Sequence, residues 1–95
     1  MFSRNKYIVS YDLRGFDKDY DELIDGLKQY NKCLKINNSC WLIETAFGAK
    51  EVRDQLSDFL DADDSIFVAS LTGEAAWKNA DSKNDEIKSV LTKKP

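Results

Sequence analysis

From Tyr7 to Leu13 the chain reads Tyr-Ile-Val-Ser-Tyr-Asp-Leu, rich in β-branched and aromatic residues and closed by Gly15. This run predicts a first strand. The spacing then changes. Tyr20, Leu23, Ile24, Leu27 and Tyr30 recur at helical intervals, Asp19 and Glu22 have the spacing of a capping box, and Asn31 is a stop signal. Gly26, inside that helix, is expected to cost about 1 kcal/mol relative to alanine unless close packing requires it. Cys33 to Ile36 and Cys40 to Thr45 read as two strands around Asn37-Asn38, a pair suited to the positive φ angles of a tight hairpin turn. A second helix is predicted from near Gly48 to about Leu60, with Val52, Leu56, Phe59 and Leu60 on its apolar side. Ser65 to Leu71 is the last strong strand pattern. Beyond Gly73 the periodicity fades, residues 79–84 read as a polar linker, and Asp85 to Thr92 forms a short helix with Ile87, Val90 and Leu91 as apolar contacts.

Strand, helix, two strands, helix, strand is the split βαβ order, and it predicts an α+β, ferredoxin-like βαββαβ sandwich with a four-stranded antiparallel sheet. The expected domain spans 1–78, followed at 79–95 by the linker and terminal helix. Right-handed crossovers place both main helices on one sheet face, with the first and third strands central. Alternation puts Ile8, Ser10 and Asp12 on one side of the first strand and Tyr7, Val9 and Tyr11 on the other. The hairpin divides into Trp41 and Ile43 against Cys40 and Leu42, and the last strand into Ile66 and Val68 against Phe67, Ala69 and Leu71. Both faces are thus apolar, while two helices cover only one. A homodimer is the simplest way to bury the other, with Ile8, Trp41, Ile66 and Val68 as the expected interface.

Composition narrows the chemistry. With 95 residues, 42% apolar and 33% charged, this is one folded domain. No apolar run exceeds four residues, which excludes a bilayer-spanning helix, and the opening residues lack a signal-peptide pattern, so a cytoplasmic protein is expected. The net charge of −3 argues against general non-specific nucleic-acid binding. The acidic stretch Asp61-Ala62-Asp63-Asp64 reads as a solvated loop. There are no histidines, which removes imidazole acid–base chemistry, histidine-based nucleophile systems and most zinc sites. Cys33 and Cys40, without a CxxC spacing, are expected to be reduced.

Tyr-Ile-Val-Ser-Tyr-Asp-Leu-Arg at residues 7–14 resembles the first strand of the small CRISPR-associated Cas-two family and of the related VapD-like ribonuclease toxins, where a similar apolar strand ends in Asp. Ser39-Cys40-Trp41-Leu42 is similar to the Ser-apolar-aromatic run of the central strand in that family. The SinR family of short proteins is more similar still. It shares the Tyr-Asp-Leu-Arg end of strand one, a Trp-Leu-Ile-Glu-Thr-like strand and a Leu-Thr-Gly-Glu-like segment, so that the likeness spans roughly Lys6 to Trp77. The resemblance implies a ferredoxin-like homodimer. In its nuclease members, first-strand aspartates of two protomers face each other and hold a divalent cation. Asp12 matches that position; Arg14 alone stands for the basic run that follows, and Leu42 stands where the Cas-two strand motif has Glu.

On this reading Asp12 is the candidate catalytic and metal-ligating residue. Mg²⁺ or Mn²⁺ needs few protein carboxylates when substrate phosphates and water complete its shell, and it presents a bound water without any histidine. Ser10 and Arg14 are the candidate nucleic-acid contacts, the first on the Asp12 face and the second through its planar guanidinium. A strand-end Asp before Arg and Gly is equally good turn chemistry. Tyr7, Tyr11 and Trp41 lack the glycine-aromatic motif of an RNA-recognition sheet. Two functions follow: a Cas-two-like metal-dependent endonuclease acting on RNA or DNA, or a non-catalytic dimeric module that binds a protein partner as an adaptor, an antitoxin-like partner or a phage-type inhibitor of a host defence system.

Overall fold

The computed structural model describes residues 5–14, 21–72 and 74–92. Its elements run β1 (Asn5–Asp12), α1 (Asp21–Leu27), β2 (Lys32–Asn37), β3 (Cys40–Thr45), α2 (Ala49–Ser57), β4 (Ser65–Ser70) and α3 (Asn84–Thr92). The protein is α+β: three helices on a four-stranded antiparallel sheet of order β2-β3-β1-β4, with β1 and β3 inside. Gly15, Asp19, Tyr20 and Gly73, which carried turn, cap or stripe expectations, lie outside the described residues. α2 opens as its sequence predicts. The Gly48 N–H donates to Glu51 Oε1 (3.1 Å), and the Gly48 carbonyl accepts from the Val52 N–H (3.0 Å). The first of these satisfies a backbone N–H that a helix start leaves orphaned.

Register decides which side chains share a face, because directly opposite residues in an antiparallel ladder point the same way. Val9 lies opposite Trp41 on one side and Val68 on the other, and Tyr11 opposite Ile66. Tyr7, Val9, Tyr11, Trp41 and Ile43 therefore form one surface, against which Leu23 and Leu27 of α1 and Val52 and Leu56 of α2 pack; Ile66, Val68 and Cys33 flank it. Trp41, Ile66 and Val68, expected beside Ile8 on a bare face, belong instead to this helix-covered core. The alternation within each strand reads correctly, but the pairing between strands that assigns a face is a long-range property. Cys33 and Cys40 also separate: Cys33 packs with the helix-side core, whereas Cys40 pairs with Ser10 on the opposite surface, and both are free thiols.

The opposite surface carries Ile8, Ser10 and Asp12 of β1 with Cys40, Leu42 and Glu44 of β3, Leu34 of β2, and Phe67 and Ala69 of β4. It is not bare. Ile87 and Val90 of α3 bury Leu42, with Leu34, Ile36, Leu71, Trp77, Ala80 and Leu91 around them. The connecting chain is tied across this face. The Leu71 N–H donates to the Lys6 carbonyl (2.9 Å), the Asp81 N–H donates to the Ile36 carbonyl (2.9 Å), and Lys6 Nζ donates to the Leu91 carbonyl near the end of α3 (3.4 Å). α3 thus covers the β2–β3 half, while Ser10 and Phe67 on the β1–β4 half stay exposed.

The hairpin also differs from expectation. Asn37 pairs with Cys40, so the turn is Asn38-Ser39, preceded by an irregularity between Lys35 and Asn37. Among the described non-glycine residues the left-handed φ occurs at Asn79 (55°), so Asn37 and Asn38 turn without it. The irregular step lets β2 absorb a residue and keep Leu34 and Ile36 against α3.

Candidate functional site

Two neighbouring features on the α3 side of the sheet can carry function: the polar end of β1, and the apolar surface between β4 and α3. The first is built by Asp12, the last residue of β1, which pairs with Ser65 at the start of β4. Its side chain is two-thirds exposed, and Arg14 Nε lies 3.3 Å from its Oδ2. The Arg14 backbone N–H donates to Asp64 Oδ1 (2.9 Å), and Oδ2 of the same carboxylate accepts from the Asp61 N–H (2.9 Å). Asp64 therefore closes the 61–64 turn and fastens it to the chain leaving β1. The acidic stretch read as solvated contains a structural clamp, and an Asp three residues after another in a turn was its only local signal.

Asp12 and Ser10 share a face of β1, two positions apart, and both are exposed. The structure joins Asp12 to Arg14 and brings Ser10 beside Phe67 and Cys40, its directly opposite neighbours. Ile8 lies farther along the same face. Among the described residues no three His, Cys, Asp or Glu side chains converge as a metal-holding group. Asp12 therefore presents a single carboxylate at this end of the sheet, with the Arg14 guanidinium beside it.

The second feature is apolar. Phe67 is 64% exposed at the middle of edge strand β4. Beside α3, Ile8, Leu42, Leu71, Trp77, Ile87 and Leu91 line a hollow of about 220 Å³. The Trp77 indole N–H donates to Asn84 Oδ1 (3.0 Å), which holds the ring as one wall. Sequence reasoning missed this hollow because it depends on where α3 docks.

Glu44 was missed as well. It is 1% exposed on the α3 side of β3, with Lys6 of β1 and Lys32 of β2 directly opposite it. The thiols offer no ready nucleophile: burial pushes Cys33 up to about 11 against a small opposing pull from Lys28, and burial also raises Cys40.

No protein-family model, curated protein or solved structure matches the chain. Among the described residues, no helix is long and apolar enough to cross a membrane.

Proposed function

We propose that the protein is a ferredoxin-like, non-catalytic homodimeric interaction module of the cytoplasm, self-associating through the half of the sheet that α3 leaves open. The order strand, helix, strand, strand, helix, strand with β1 and β3 inside supports the ferredoxin-like frame. One observation carries the functional reading: the 64% exposure of Phe67 on the half of the sheet that α3 leaves open. A large aromatic at the centre of an exposed edge strand is the kind of surface that marks an interface. The net charge of −3 favours a module over a nuclease.

A second reading, a Cas-two-like metal-dependent nuclease, is favoured by the position of Asp12. It ends a central strand on the same face as Phe67, so association through that face brings two Asp12 carboxylates toward one another. One experiment separates the readings. Light scattering at micromolar concentration is expected to return twice the 10.9 kDa chain mass, and the same sample is expected to leave single-stranded RNA and DNA intact with Mg²⁺ or Mn²⁺. A monomer across that range overturns the proposal. Cleavage that is lost both with EDTA and in Asp12→Asn replaces it with the nuclease reading.

A further inference from the structure

We infer that in the homodimer each Phe67 seats in the partner's hollow between α3 and the sheet. This rests on the self-association proposed above and names the contact that drives it. Phe67 stands proud because its directly opposite neighbour on β1, Ser10, and its same-face neighbours along β4, Ser65 and Ala69, are small. The ring is a knob that is 64% exposed. The hollow lies on the same sheet surface, bounded by Ile8 and Leu42 below, Ile87 and Leu91 of α3, and Trp77. At about 220 Å³ it exceeds the roughly 150 Å³ apolar cavity that admits benzene. Its lining is apolar, which suits a phenyl ring and offers nothing to a polar ligand.

A surface that carries a knob beside a matching hollow can pair with a second copy about a two-fold axis. Each ring enters the other chain's hollow, and the arrangement closes at two copies. The wall that receives the ring is already in place through the Trp77–Asn84 hydrogen bond, so little ordering is required on association. An aromatic anchor in a prepared apolar pocket is where interface energy concentrates.

The test uses two substitutions on opposite sides of the contact. Phe67→Ala removes the knob. Ala76→Trp, at an exposed residue of the hollow's rim, is expected to place an indole in the hollow while leaving every sheet residue unchanged. Each alone is expected to weaken the dimer at least tenfold by analytical ultracentrifugation, with unchanged circular dichroism. Mixed together they are expected to form a heterodimer tighter than either variant's homodimer, because Phe67 of the filled chain still meets the open hollow of the truncated one. A wild type that is monomeric overturns the self-association reading itself. A dimeric wild type whose Ala76→Trp variant associates equally well, or a mixture with no heterodimer preference, overturns the seating of Phe67 and leaves self-association standing.

Discussion

Replacing Gly26 with alanine sets two effects of similar size against each other. Gly26 is the next-to-last residue of α1, and a Cβ built there lies 2.6 Å from Phe59 Cε2, 3.2 Å from Cδ2 and 3.3 Å from Cζ. Carbon atoms in contact sit about 3.5–4.0 Å apart, so the ring must retreat by roughly 1 Å. Phe59 is 37% exposed and lines a second apolar hollow with Tyr30, Phe47 and Leu56, so the ring has somewhere to go, at the loss of its contact with α1. Overpacking of this kind costs about 1–3 kcal/mol. Alanine in place of a helical glycine returns up to about 1 kcal/mol. The expected net effect of Gly26→Ala is a destabilisation of about 1 kcal/mol. In a Phe59→Leu background the clash disappears, and the same substitution is expected to stabilise by about 0.5–1 kcal/mol. Urea unfolding followed by tryptophan fluorescence measures all four proteins of the cycle, with the midpoint moving at constant slope. If Gly26→Ala stabilises equally in both backgrounds, the ring yields freely and the close helix approach is not what glycine serves.

Tyr11→Phe removes the acceptor of the Trp41 Nε1–H bond (3.0 Å) between two residues under 8% exposed. Stranding that buried donor is expected to cost about 1–3 kcal/mol in urea unfolding, and a loss below about 0.5 kcal/mol would show that another group takes it up. Cys33 is pushed up to about 11 and Tyr30, whose hydroxyl donates to Gln55, up to about 12, both by burial. Raised values favour the neutral forms in the fold, so their contribution is complete below the unfolded values of 9.0 and 10.0 and is lost as pH rises through about 11 and 12. The urea midpoint is therefore expected to fall between pH 9 and 12, and iodoacetamide at pH 8 to modify Cys33 more slowly in native than in unfolded protein; a flat midpoint or equal rates would show both groups to be solvated.

Much of the architecture is local and could be read from the chain. β1, the β2–β3 pair, α2 and β4 follow from residue spacing that each segment carries by itself, and Val52 and Leu56 are core residues because helical periodicity already places them on one stripe. Even α3 was legible as a helix, from Ile87, Val90 and Leu91. The candidate site was legible only in pieces. Asp12, Arg14 and Ser10 stand out by type and position, and the Arg14–Asp12 pair is local, but the Asp64 clamp joins residues 50 apart in the chain.

What the tertiary structure alone decided concerns faces and partners. Alternation states that Trp41 and Leu42 point opposite ways; only the register with Val9 and Ile8 states which of them meets the helices. A one-residue change in pairing would exchange them, and no segment of sequence contains that information by itself. Periodicity likewise gives α3 an apolar stripe without saying what it covers. Its docking on Leu42 removes half of the open sheet, creates the hollow beside Trp77, and leaves Phe67 exposed on the other half. Local spacing therefore determined the elements of this protein, because backbone preference and side-chain periodicity act within a few residues. Strand pairing and helix docking determined its functional surface, because burial is settled between segments distant in the chain.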